Sequence, residues 1–277
     1  MGAPTDESGS RIVTAPSNTI QVQRLRKSFP HEGERRLVLN DIDLEIQEGE
    51  FVSIIGPSGC GKSTLFNILA GLDVPDAGDV LVHGRNANGQ PDHFAYMPQK
   101  DSLLPWRRVL DNACLGLEIQ GVPRKHARAE AAELIPTFGL SGYEQCWPWQ
   151  LSGGMRQRVA LLRTVLQHRS VLLLDEPFGA LDSLTRRHMQ NWLLDVWERY
   201  HWTVVLITHD IREAVFLSDR VYALTGRPAS VHSQHVIDAA RPRTAEMFID
   251  PDVAAVEVRL LAALGADRPI SSPAGTT

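Results

Sequence analysis

Gly56-Pro57-Ser58-Gly59-Cys60-Gly61-Lys62-Ser63 fits the phosphate-loop pattern G-x-x-x-x-G-K-[ST]. Its glycines let main-chain N–H groups turn inward around phosphate oxygens with no Cβ in the way. Lys62 can reach the β- and γ-phosphates of a nucleoside triphosphate, and the Ser63 hydroxyl can ligate Mg²⁺. A helix beginning at Lys62 and carrying Thr64 in its first turn would aim its positive end at the same anion. Gly56 to Thr64 is therefore the expected nucleotide-binding loop.

Two further segments carry related chemistry. Val171-Leu-Leu-Leu-Asp-Glu176 is an apolar strand ending in two carboxylates. A buried strand delivers side chains rigidly at its C-terminal edge, where nucleotides sit in open α/β sheets. Asp175 there would hold the Mg²⁺ shell, and Glu176 would orient or deprotonate an attacking water. Leu151-Ser152-Gly153-Gly154-Met155 precedes a helix whose side carries Met155, Val159, Leu162 and Leu166. The free N–H groups of its first turn make a second anion site, suited to a γ-phosphate.

Taken in this order over roughly residues 20 to 225, these segments resemble the ABC ATPase family. Leu151 to Met155 is close to that family's LSGGQ signature, and Arg156-Gln157 continues it. The resemblance implies a head-to-tail pair, either a homodimer or two related ATPase subunits, in which one copy's signature closes on ATP and Mg²⁺ held by the other. It also implies roles for isolated residues. Gln99, in Tyr-Met-Pro-Gln, would approach Mg²⁺ and water while sensing a permease. Asp182, in Gly179-Ala-Leu-Asp, would contact the opposite phosphate loop. His209 would hydrogen-bond the γ-phosphate. With Glu176, Gln99 and Lys62 it completes the expected catalytic set, while Ser63, Gln99 and Asp175 form the expected metal set. Phe29, in Lys-Ser-Phe, stands where the family places an aromatic residue that stacks on adenine; a core Phe is the rival reading. Met155 departs from the signature Gln, which removes a side-chain amide but leaves main-chain contacts to phosphate. Leu161-Leu162-Arg163-Thr164 also departs from an alanine-rich continuation.

The same resemblance implies a permease docking near Gln99, along Lys100-Asp-Ser-Leu-Leu-Pro-Trp-Arg-Arg108. Trp106 is there either an interface anchor or a side chain packed into the helical lobe. This stretch and Glu-Pro-Phe-Gly-Ala-Leu-Asp look most like importers of the nitrate, sulfonate, taurine and thiamine-precursor group. That group implies a peripheral subunit on the cytoplasmic face of the membrane, served indirectly by an extracytoplasmic solute-binding protein.

Strands and helices must hold these residues in place. Ile42, Leu44 and Ile46 alternate with Asp41, Asp43 and Glu45, the period of a half-buried strand. Phe51 to Ile55 reads as a buried strand entering the phosphate loop, and a helix follows to a stop at Gly71. Short strands are expected at 79–83 and 94–97, and helical signal with Pro, Gly and Trp punctuation at 103–167. Strand and helix then alternate through Val171–Asp175, Leu184–Tyr200, Thr203–Thr208, Ile211–Leu217 and Arg220–Leu224, which implies a parallel sheet covered by helices. The expected fold is α/β: a P-loop ATPase core with a mainly parallel sheet, an antiparallel β lobe and a helical lobe inserted at about 100–168. Residues 1–18 read as a disordered lead-in, 19–240 as the ATPase domain, and 241–277 as a helix (Val253 to Leu264) with a flexible tail.

Composition narrows the function. Twenty-eight basic against 33 acidic residues give a net charge of −5, without the basic excess of a protein that wraps nucleic acid. No nucleic-acid partner is expected. Cys60, Cys114 and Cys146 lack pairing or metal-ligand spacing and read as reduced thiols. Cys60, near a helix N-terminus, is expected to react with thiol reagents and to be protected by ATP. No apolar run approaches the roughly 18 to 20 residues of a membrane helix, and the N-terminus lacks signal-peptide character. The alternative reading is a soluble ABC ATPase acting on ribosomes or DNA. A single set of motifs and the lack of a long heptad region weigh against it.

Overall fold

The computed structural model describes residues 18–265. The lead-in expected up to residue 18 and the tail from Asp267 lie outside them, except for Asn18, which opens the first strand. Two long strands, β1 (Asn18–His31) and β2 (Glu34–Gln47), form a hairpin about Glu32 and Gly33, both with positive φ. β3 (Phe51–Ile55) runs into the phosphate loop and α1 (Lys62–Leu69). Gly71 ends that helix in the left-handed region at φ 69°, and a Cβ there would lie 2.5 Å from the Pro91 nitrogen. β4 (Ala77–Val82) and β5 (Arg85–Asn86) complete an antiparallel sheet of order β2-β1-β4-β5.

β6 (Phe94–Met97) leads into helices α2 (Val109–Ala113), α3 (Leu115–Ile119), α4 (Arg124–Leu134) and α5 (Gly153–Val165). The chain then re-enters the main sheet through β7 (Val171–Asp175). Next come α6 (Ser183–Tyr200), β8 (Thr203–Thr208), α7 (Ile211–Leu217), β9 (Arg220–Thr225), β10 (Ser230–Val236) and α8 (Pro251–Gly265). The second sheet has the order β10-β9-β3-β8-β7-β6, parallel throughout except where β10 pairs antiparallel with β9.

Every residue of β3, β7 and β8 is buried, as a parallel sheet covered on both faces requires. Their alternate side chains sort between two cores. Leu173 and Val205 join Ile42, Leu44, Leu65 and Phe66 beneath the antiparallel lobe. Leu172, Leu174, Val204 and Leu206 pack instead with Val159, Leu162, Leu166 and Trp197 of α5 and α6. The expected α/β architecture, with antiparallel lobe and inserted helices, is the one observed.

A third core joins α7 and α8 to Ile55, Val221 and Ala223. The chain beyond residue 240 is tied back by arginines. Buried Arg243 donates to the carbonyls of Val215, Phe216 and Ser218, which satisfies the C-terminal end of α7. Arg241 pairs with Asp219 at 2.7 Å and lies over the Trp197 ring. No helix among the described residues is long and apolar enough to cross a membrane.

Candidate functional site

The phosphate loop is shaped by side chains its glycines lack. A Cβ on Gly56 would meet the Leu224 carbonyl oxygen at 2.8 Å and Cys60 Sγ at 2.9 Å. Gly61, at φ 117°, has Leu39 Cδ2 at 2.9 Å from where its Cβ would be. β2 thus backs the loop, and only glycine fits at these two positions. Lys62 Nζ donates to the carbonyl oxygens of Gly56 (2.7 Å) and Pro57 (3.0 Å), which folds the ammonium over the loop. Ser63 is exposed and Thr64 half-buried in the first turn of α1. Ser58 and Gly59 form the exposed rim, against which Arg227 lies, donating to the Ser58 carbonyl at 2.9 Å. Sequence reading missed Arg227, because it comes from the turn after β9 with no motif around it.

Cys60 corrects an expectation. Its side chain is buried in the core with Leu65 and Phe66, and its N–H bonds to the Pro57 carbonyl. The thiol faces the hydrophobic interior, so reagent access needs the loop to open.

The strand-end carboxylates form the centre of the site. Asp175 is buried, and burial pushes its carboxyl above the usual range. The charge of Glu176 adds to this, while the Tyr96 hydroxyl and Lys62 oppose it. Tyr96 Oη donates to Asp175 Oδ2 at 3.1 Å, and burial followed by the charge of Asp175 pushes the phenol up in turn. Tyr96 was also absent from the expected set; its place on β6 next to β7 supplies it. A desolvated carboxylate with a second acid beside it favours a nearby cation. The exposed Ser63 hydroxyl, the Gln99 amide and Asp175 offer the hard oxygen donors that suit Mg²⁺.

Glu176 stands in the left-handed region at φ 44°, a conformation that costs a non-glycine residue about 1 to 3 kcal/mol and clusters at functional sites. Both of its oxygens are engaged. Gln99 Nε2 donates to Oε2 at 2.9 Å, and His209 Nδ1 lies 3.2 Å from Oε1. Gln99 follows β6, Glu176 follows β7 and His209 follows β8. Three adjacent parallel strands therefore deliver three widely separated residues to one point.

Leu151 is buried and Ser152 caps α5, its hydroxyl accepting from the Met155 N–H at 3.3 Å. One N–H expected to be free is thereby occupied, which leaves those of Gly153 and Gly154 without an intrahelical acceptor at the helix start; Gly153 is half-buried and Gly154 buried. Met155 packs at the edge of the main core. Asp182 caps α6 by accepting from the Thr185 N–H, and that bond lowers its carboxyl below the usual range. Phe29 is on β1 with its ring exposed and Lys27 Nζ 5.1 Å from its centroid, outside the core. Trp106 is 71% exposed rather than packed into the helical lobe. Its loop is held by buried Asn112, which donates to the carbonyls of Leu104, Arg107 and Arg108.

A cleft of about 550 Å³ lies between Gln99 to Asp101, the start of α5 and Gly179 to Leu181. Across it, Asp101 pairs with Arg156 at 3.1 Å, and Arg163 donates to the carbonyls of Asp101 and Ser102. The segment after Gln99 is thereby fastened to the signature helix.

A phosphate loop on a covered parallel sheet, with paired carboxylates at the end of β7, one strand removed from β3, and a glycine loop on an inserted helical lobe, defines a P-loop nucleotide-binding cassette. Residues 39–179 match the family model described as ABC transporter, and the chain belongs to that family. It is similar to the aliphatic sulfonates import ATP-binding protein SsuB of Bacillus subtilis, 42% identical over 88% of this chain and 92% of that one. It resembles equally the taurine import ATP-binding protein TauB of Pseudomonas aeruginosa, 42% identical over 80% and 84%. Among solved structures, the dimeric MJ0796, a bacterial ABC transporter cassette, superposes with a TM-score of 0.68. The two share 30% identity over 80% of this chain and all of that one, and MJ0796 is also known in a dimeric post-hydrolysis state with ADP and Pi.

Four residues past His209, Glu213 is buried on α7, its N–H capped by Asp210 and its Oε2 accepting from Gln190 at 3.1 Å. Burial pushes its carboxyl up to about 7, and Asp210 adds to the shift against opposing hydrogen bonds from Thr208 and Gln190 and the charge of Arg186. The folded value lies above the unfolded one, so the fold favours the protonated acid. That stability is full below the usual 4.5 and is lost as pH rises through about 7. Glu213→Gln is expected to stabilise the chain at pH 8 by up to about 3 kcal/mol and to change little at pH 4. Urea titrations at both pH values check this; an equal effect at the two would contradict it.

Proposed function

We propose that this ABC-family ATPase works in pairs beneath a membrane permease, powering import of a small solute of the sulfonate or taurine type. The observation that carries the hydrolytic reading is Glu176, held at both oxygens by Gln99 and His209 beside the phosphate loop. The reaction is ATP + H₂O to ADP + phosphate. Main-chain N–H groups of Gly56 to Thr64 and the ammonium of Lys62 bind the β- and γ-phosphates. Lys62 exchanges its two carbonyl contacts for phosphate oxygens. Ser63, Gln99 and Asp175 would hold Mg²⁺, which neutralises charge on the phosphates. Glu176 orients the attacking water and accepts its proton. His209 keeps the carboxylate aimed and hydrogen-bonds the γ-phosphate, and Gln99 fixes the other oxygen. Phe29, exposed on β1, stacks on adenine.

The signature loop, Leu151 to Met155, takes the γ-phosphate of ATP bound to a second subunit through the main-chain N–H groups at the start of its helix. Asp182 faces the opposite phosphate loop. ATP thus binds the closed pair more tightly than the open one, and this difference is the available work. Movement leaves through the loop carrying exposed Trp106, because Asp101, Arg156 and Arg163 fasten its base to the signature helix. The solute reading is supported by SsuB and TauB, named for aliphatic sulfonates and taurine. In such an importer the subunit is peripheral on the cytoplasmic face, and an extracytoplasmic binding protein supplies the permease.

Glu176→Gln should retain ATP binding and lower turnover at least about 100-fold, as loss of a general base does; unchanged phosphate release would remove Glu176 from its role. Trp106→Ala should lower transport in reconstituted vesicles while the ATPase rate of the free subunit stays within about twofold. Equal loss of both would show that Trp106 supports folding rather than coupling.

A further inference from the structure

A second cleft, of about 340 Å³, opens among α6, α7 and the 3₁₀ turn Ala245–Ile249. That volume is at the lower end of small-ligand pockets. None of the lining residues belongs to the phosphate loop, the paired carboxylates or the signature. Its apolar wall is Phe216 and Phe248, stacked with centroids 6.5 Å apart. Three guanidinium groups line it: Arg186, Arg187 and Arg212.

Their charge is unevenly matched. Arg212 pairs with Glu257 at 2.8 Å and lies over the Phe248 ring. Arg186 has Asp210 at 3.7 Å, donates to the Leu181 carbonyl, and keeps its Nε buried without a hydrogen-bond partner. Arg187 is exposed, and its side chain has neither ion pair nor hydrogen bond among the described residues. Asp195, Glu198 and Glu246 share an adjoining cleft with it, yet none comes within ion-pair distance. The two carboxyls of the lining are already used: Asp210 caps α7, and Glu213 is buried against Gln190.

We propose that this cleft binds a small organic anion, an oxyanion head carrying a flat apolar body. Arg187 and Arg186 grip the carboxylate, sulfonate or phosphate group, since guanidinium donors match planar and tetrahedral oxyanions. The body lies against Phe248 and Phe216. The site is separate from the proposed ATPase chemistry and does not depend on it.

Calorimetric titration of phenyl phosphate into the full chain saturated with ADP and Mg²⁺ tests this, with inorganic phosphate in parallel. One saturable phenyl phosphate site per chain is expected, weakened about tenfold or more by Arg187→Ala. Phe248→Ala should weaken phenyl phosphate and leave inorganic phosphate unchanged. Because the Arg187 side chain makes no hydrogen bond or ion pair among the described residues, its replacement should leave thermal stability and ADP affinity intact. Absence of saturable binding at millimolar phenyl phosphate, or binding indifferent to Arg187→Ala, overturns the proposal. The Arg187 comparison can be read with or without ADP, so failure of nucleotide binding and failure of this site are told apart.

Discussion

Two carboxylates at the end of one buried strand impose the constraint around which the molecule is organised. Asp175 and Glu176 are adjacent, and Asp175 is desolvated. Like charges brought this close raise each other's cost unless positive charge or hydrogen bonds offset it. The fold supplies those offsets from every side: Lys62 and Tyr96 act on Asp175, while Gln99 and His209 act on Glu176. A cation held at Asp175 would offset the remaining negative charge. The strained backbone of Glu176 is tolerated since its N–H is anchored to the Ile207 carbonyl at 2.9 Å.

From that centre, sheet order explains the rest. Gln99, Glu176 and His209 lie far apart in sequence but leave adjacent strands β6, β7 and β8. Any displacement of the segment after Gln99 acts at one end on Glu176 and at the other on Arg156 and Arg163 of α5. Glu176 and the helical lobe are therefore joined by these polar contacts in addition to the apolar core that sheet and lobe share. The antiparallel lobe has a quieter part, packing Leu39 against Gly61 so that the phosphate loop keeps its shape.

Much of this was legible in residue order. Phe51–Ile55, Val171–Asp175, Thr203–Thr208 and Ile211–Leu217 have the limits that hydrophobic runs and flanking breakers imply. β10 was not anticipated, because Ser-Val-His-Ser-Gln-His-Val is an exposed, polar edge strand with weak alternation. The anchoring of the chain by Arg241 and Arg243 was equally hidden; a buried arginine has no local signature, only distant carbonyls to satisfy. The Cys60 thiol was misjudged for a related reason. Proximity to a helix N-terminus is visible in sequence, but the direction of a side chain within a loop depends on what packs behind it. Motifs named Gln99, Glu176 and His209 separately. Their meeting at one carboxylate follows from strand order, which no single motif contains.

The central claim is that Ser152 to Gly154 of one copy and Gly56 to Ser63 of another enclose the same nucleotide. Sedimentation of the Glu176→Gln chain measures this directly, with and without saturating Mg-ATP. The account predicts a dimer that forms with Mg-ATP and separates when ADP replaces it. A chain that binds Mg-ATP yet stays monomeric at high concentration, even with its membrane partner supplied, contradicts it.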